Sequence, residues 1–341
     1  MNRRLLSRAL VVALAGVLVL GCPPPDDGDD DPDPEPPETD YRAEMRDFVV
    51  ELAAYARGVD PGFIVIAQNG PDLLTEDGEP DGALVENYAD ALDGQGQEHP
   101  FYGQEGYNIA TPEDDRDYYV ALLDRAEEEG IEVLATDYCS VPALILDGLG
   151  WASTHGYIHF AAPNTIYDLD SIPAWPAEPY GANADTIASL ADARNFLYLI
   201  DSTPFGTRSA FVTAVQAENY DVLVMDPFHN GTAFTAAQVT ALRQKDNGGK
   251  RLVIAYLNVG AAENWRYYWD GDWEVGEPSW ITGQYAGYPD EYWVEYWNDE
   301  WKDIIFGGGA SFVKKILDAG FDGVYLDNIL AYEYFESGAG A

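Results

Sequence analysis

Cysteine is nearly absent: the 341-residue chain has only Cys22 and Cys139. If Cys22 is consumed by lipid, Cys139 has no partner and the mature protein has no intrachain disulfide. The four histidines are scattered, and none stands with cysteine at zinc-ligand spacing. Lysine is almost as scarce, at five residues. Against 18 basic residues stand 60 acidic ones, a formal net charge of −42. Phosphate backbones repel such a surface, which excludes nucleic acid as a partner. Two readings of the charge remain, and they are compatible. One is adaptation to high salt, where screening makes a dense acidic surface tolerable; the other is attraction of a cationic polymer. A Gly-rich phosphate fingerprint after a strand is also missing, which argues against dinucleotide binding.

The N-terminus carries export and anchoring signals. Arg3 and Arg4 precede an apolar run over 9–20, too short to span a bilayer comfortably. It ends at Leu20-Gly21-Cys22, a small residue directly before cysteine. This is the layout of a bacterial lipoprotein signal, with 1–21 removed and Cys22 lipidated; the plainer alternative is an ordinary signal peptide with an incidental cysteine. Residues 22–40 are almost entirely Pro, Asp, Glu and Gly. Such a segment cannot bury apolar area and repels itself, so it reads as an extended tether from the membrane. The expected location is the cell envelope, outside the cytoplasm.

From Tyr41 onward, short apolar runs alternate with amphipathic segments, the pattern of parallel βα units. Strands are expected at 63–67, 88–93, 131–136, 157–160, 196–200, 220–225, 251–257 and 323–326. Met45, Phe48, Val49, Leu52 and Ala56 fall on one helical face. Gly130 and Gly320 stand where helix C-caps should precede a strand. Eight such units predict a single α/β domain over 41–341, a (β/α)8 TIM barrel. The Pro-rich stretch 164–194 breaks the rhythm and reads as a long joint between half-barrels 41–163 and 195–335.

The residues at the strand ends carry the chemistry. Asn69, Glu98, Asp137 with Tyr138, Asp201, Asp226, Asn258 with Glu263, and Asp327 with Asn328 all lie at or shortly past predicted strand ends. A barrel gathers its strand C-termini on one face, where active sites are built. Any one of these residues is explained as a helix cap or turn. A ring of them beside Tyr and Trp suits a sugar site: carboxylates for acid and base, aromatics for stacking, amides for hydroxyls.

Longer motifs carry a resemblance. Residues 220–226 (YDVLVMD), 255–260 (AYLNVG) with Glu263, Arg266 and Tyr268-Trp269, and 320–327 (GFDGVYLD) resemble the endo-α-1,4-polygalactosaminidase family of glycoside hydrolases. Gln68-Asn69-Gly70, the segment 89–94 leading to Glu98, and Asp137-Tyr138 resemble it too. In that family the segment similar to 195–335 precedes the one similar to 41–163, so this chain looks circularly permuted, and a closed barrel can be cut in any loop. Leu199 and Ala261 depart from the family pattern. The resemblance implies cofactor-free hydrolysis of an α-1,4-linked galactosamine-type polysaccharide, with Glu98 as proton donor and Asp327 as nucleophile or base. Asp226, Tyr256, Asn69, Asp137, Glu263 and Asp201 would bind substrate along the groove. Two rivals stay open: a non-catalytic carbohydrate-binding surface lipoprotein, and a hydrolase using a metal held by the acidic ring.

Overall fold

The computed structural model describes residues 39–338. The signal sequence, Cys22 and the tether up to residue 38 lie outside the described residues.

The strands in chain order are β1 (Ile64–Gln68), β2 (Gly94–Glu98), β3 (Glu132–Asp137), β4 (Ile158–Ala161), β5 (Phe196–Tyr198), β6 (Val222–Met225), β7 (Phe228–His229), β8 (Thr232–Ala233), β9 (Leu252–Asn258), β10 (Ala261–Glu263), β11 (Ile281–Gln284), β12 (Glu291–Val294) and β13 (Gly323–Asp327). Eight of them form one parallel sheet in the order β4-β3-β2-β1-β13-β9-β6-β5. Its two ends meet at a seam closed by side chains, with the Phe160 and Phe196 rings 5.5 Å apart. Helices wrap the outside, so the fold is a TIM barrel. Parallel strands covered on both faces need apolar residues at nearly every position, and β1, β6 and β9 are buried throughout.

β1 pairs with β13 in register, Val65 opposite Val324. Strands from 41–163 and from 195–335 thereby share one sheet and one core. The helix Tyr41–Val59 starts at Asp40, whose side chain accepts a hydrogen bond from the Ala43 amide. Its first turn meets the last helix, Ala331–Glu336: Tyr41 packs on Phe335 and Arg42 pairs with Glu336. Gly130 and Gly320 both adopt positive φ at helix ends, as their positions predicted.

One strand differs from expectation. Residues 88–93 are not a strand; a short helix, Glu86–Ala89, precedes β2, which has the sequence GQGQE. No apolar run marks it, because at β2 the barrel interior is filled from its neighbours. A Cβ on Gly96 would collide with the Tyr325 hydroxyl and the Gln68 amide oxygen. The stretch 164–194 is largely irregular, with one 3-10 turn at Leu190–Asp192. The aromatic-rich region beyond β9 forms a small antiparallel sheet, β10-β12-β11, on the C-terminal face of the barrel. Trp273, Trp280 and Trp301 pack in series there, and Trp301 Nε1 donates to the Val259 carbonyl.

Candidate active site

Side chains alternate along a strand, so those at i and i+2 share a face. Tyr325 and Asp327 on β13 share the face toward the barrel interior and mouth, as do the Gly96 position, filled by the Tyr325 hydroxyl, and Glu98 on β2. β1 lies between these two strands, so at ~4.8 Å per strand their backbones stand roughly 10 Å apart. The strand ends are constrained: Asn69, His99 and Asn328 each take positive φ, at 61°, 45° and 59°. Left-handed backbone is uncommon outside glycine, though asparagine and histidine adopt it more readily than most residues, and such conformations cluster at functional sites.

Glu98 ends β2 directly and is buried. It is therefore held rigidly rather than carried on a flexible loop, as a strand at 88–93 would have implied. The Asn69 side-chain amide donates to one carboxyl oxygen at 3.0 Å, and the Tyr138 hydroxyl donates to the other. The Asn69 carbonyl oxygen in turn accepts from the Glu98 amide and from Gln97. Burial pushes the Glu98 pKa up, and the Tyr138, Asn69 and Gln68 hydrogen bonds oppose that rise. Asp327 accepts from the Tyr256 hydroxyl at 2.5 Å and from the Asn328 amide at 2.8 Å. Burial first, and then the Glu98 charge, push its pKa up to about 6. The two carboxyls thus feel each other, and each keeps a tyrosine hydroxyl on one oxygen.

Asp226 and Glu263 form a second acidic pair that shares one cation, Arg266, which donates to Asp226 at 2.8 and 3.0 Å and to Glu263 at 3.0 Å. Both lie on the catalytic face, committed to this ion triad. Asp201 caps its own turn, accepting from the Thr203 amide and hydroxyl.

Asp137 is a correction. It is fully buried and faces away from the barrel mouth, because it is one residue out of phase with the position opposite Glu98 (Glu98 pairs with Thr136). Its carboxylate accepts from the Phe101 and Tyr102 amides and bonds His159 at 2.9 Å. A Cβ on Gly148 of the helix Pro142–His155 would come within 2.5 Å of it. It fastens the helix layer and lines no groove; Tyr138, the next residue, reaches the site instead.

Several residues at the site escaped sequence reasoning. The segment 164–194 brings Tyr167 over the mouth, where its ring packs on Tyr138 at 5.1 Å and its hydroxyl bonds His99 at 2.9 Å. Burial pushes the His99 pKa down to about 4, so this ring is neutral. Glu291 on β12 is buried, and the Asn258 amide donates to it at 3.2 Å. Among the described residues, no group of three or more His, Cys, Asp or Glu is arranged to hold a metal ion.

A TIM barrel whose C-terminal face presents a buried and a part-buried carboxyl, each bonded by a tyrosine hydroxyl, has the equipment of a glycoside hydrolase. The model of glycoside-hydrolase family GH114 matches residues 183–340, which supports a relationship of this chain to that family. The match includes Asp327, Tyr256, Asp226 and Glu263; Glu98 lies outside it. An uncharacterized protein of Deinococcus radiodurans is 37% identical over 131 residues, covering 38% of this chain and 40% of the relative. One from Methanocaldococcus jannaschii is 31% identical over 153 residues, 45% of this chain and 42% of the relative. One from Thermotoga maritima is 29% identical over 135 residues, 40% of each. The chain thus spans about two fifths of the length of the curated relatives it matches.

Proposed function

We propose that this protein is an exported, lipid-anchored glycoside hydrolase that cleaves an α-1,4-linked, galactosamine-type polysaccharide. The observation that carries the reading is the pair of carboxyls, buried Glu98 and part-buried Asp327, converging on one barrel mouth. Hydrolysis through an oxocarbenium-like state needs one acid to protonate the leaving oxygen and one carboxylate to attack carbon or activate water. Burial raises the Glu98 pKa, which favours its acid form and suits it to the role of proton donor. Asp327 ionises above about pH 6 and serves as nucleophile or base. The Tyr256 and Asn328 hydrogen bonds aim its carboxylate. Asn69 and Tyr138 fix Glu98, and the Arg266 triad sets the far wall. A partly deacetylated substrate is cationic and would be drawn to a protein carrying a net charge of −42.

The reading includes a circular permutation of the family's barrel. Its support is that the matched segment, 183–340, runs from the joint onward while the other four barrel strands precede it. The meeting of Arg42 with Glu336 leaves little distance to bridge between the two halves. A gene reopened within 164–194, with residue 338 linked to residue 40, should therefore encode a folded barrel. Replacing Cys22 by Ser should release the protein from membranes.

The functional test is a screen of purified protein for reducing ends released from galactosamine-rich and other exopolysaccharides. Turnover on the α-1,4-galactosamine polymer is the expected result. Binding without turnover on every polymer would favour a carbohydrate-binding lipoprotein instead.

A further inference from the structure

The acid count at the barrel mouth exceeds the cations available to neutralise it. Asp226 and Glu263 share Arg266. Glu291 lies directly opposite Glu263 across the β10–β12 ladder. Its only side-chain hydrogen bond among the described residues comes from the Asn258 amide, and Asn258 itself pairs in register with Asp327. Glu291 is thus buried between two other acids, with no lysine or arginine among the described residues bonded to it. A buried carboxylate without a cation is expensive, and the group takes up a proton instead. The neighbouring turn adds a second neutral donor. The Tyr288 carbonyl accepts from the Glu291 amide at 3.1 Å, and the Tyr288 hydroxyl, on a ring 8% exposed, has no partner among the described residues. Trp293 shares the Glu291 face of β12 and stacks on Tyr285 at 4.1 Å and on Tyr334 at 4.8 Å.

We propose that Glu291 and Tyr288 form a neutral, sugar-reading subsite beside Asp327. There the acid form of Glu291 and the Tyr288 hydroxyl hold a ring hydroxyl or N-acetyl group of the bound polysaccharide against the Tyr285–Trp293 wall. This rests on the glycoside-hydrolase reading of the same face. The groups facing Glu291 all agree with its neutral form. Burial and the Glu263 and Asp327 charges push its pKa well up, opposed by Arg266 and the Asn258 amide, while Tyr256, Tyr268, Tyr285 and Tyr288 are themselves pushed up and stay neutral. A carboxylic acid both donates and accepts, so it can read a hydroxyl or an amide.

The test uses the mature chain carrying Asp327→Asn, so that binding is measured without turnover, and partly N-acetylated α-1,4-galactosamine oligosaccharides as the probe. By titration calorimetry Glu291→Ala should weaken binding about 5- to 10-fold, Tyr288→Phe by a similar factor, and Glu291→Gln by no more than about 2-fold, because an amide keeps both donor and acceptor. Infrared difference spectra at pH 7 should show a protonated-carboxyl carbonyl band that Glu291→Gln removes. Unchanged binding in Glu291→Ala, a Gln variant as weak as Ala, or no such band would overturn the subsite alone. No binding by the parent, together with no turnover by wild type on any polymer, would remove the functional reading and the subsite with it.

Discussion

Replacing Asp327 by Asn should stabilise the protein while stopping it from working. The Asp327 carboxyl ordinarily titrates near 3.8, and in the fold burial and the Glu98 charge push it up to about 6. The folded state therefore holds this proton more tightly than the unfolded chain. Below about pH 4 both states are protonated and the residue contributes no pH-dependent penalty. As pH climbs from about 4 through about 6, the wild-type fold is progressively penalised, and above that the penalty is full. Each unit is worth 1.36 kcal/mol, so a shift of roughly two units amounts to ~3 kcal/mol. Solvent still reaches part of this residue and one accepted hydrogen bond must rearrange in the amide, so we expect ~2 kcal/mol net. In a domain of this size that is roughly 4 °C in Tm. Melting of wild type and Asp327→Asn by circular dichroism between pH 4 and pH 8 reads it out: the curves should coincide near pH 4 and separate to a plateau above pH 6, with the variant the more stable. A variant less stable than wild type at pH 7.5, or a difference independent of pH, would refute the placement of Asp327 as an acid whose charged form the fold disfavours.

Three further outcomes rest on the same geometry and charge. Turnover should rise with pH through about 6 as Asp327 ionises, which a pH profile of kcat/KM checks. Asp322, at the opposite end of β13, accepts from Arg243 at 2.7 Å and from the Val253 amide at 2.8 Å; Asp322→Ala should cost about 1–3 kcal/mol in denaturant unfolding and leave kcat within about 2-fold. If the net charge of −42 reflects salt adaptation, Tm should rise between about 0.1 and 2 M NaCl as repulsion is screened; a flat or falling Tm would leave substrate attraction as its explanation.

The barrel was legible because most of its strands announce themselves. β1, β6, β9 and β13 are apolar runs bounded by glycine or acid, and hydrophobic periodicity finds such elements. β2 was not legible. Its glycines are dictated by the Tyr325 hydroxyl and the Gln68 amide packing across from them, a long-range demand that leaves no local pattern. Its last residue, Glu98, was still singled out, because the family motif carries it whatever strand it ends. Asp137 shows the converse: an acid at a strand end reads the same whether it faces the mouth or the helix layer, and one residue of phase decides. Glu291 escaped because its role depends on how β12 folds back beside β10, setting Glu291 opposite Glu263, which nothing within 291–294 encodes. Among the aromatic residues of 265–301, Trp280, Tyr288, Tyr296 and Trp301 are buried, while Tyr285 and Trp293 stack with Tyr334 at partial exposure.

The central claim is that Asp327 and Glu98 divide the chemistry between them. Its most direct test is turnover of the α-1,4-galactosamine polymer, and of a glycoside with a good leaving group, by wild type, Asp327→Asn and Glu98→Gln. The account predicts that Asp327→Asn loses nearly all turnover on both substrates while still binding polymer. Glu98→Gln should fail on the polymer but retain much more activity on the activated glycoside, whose leaving group needs little protonation. Wild-type turnover by Asp327→Asn, or equal losses by Glu98→Gln on both substrates, would contradict it.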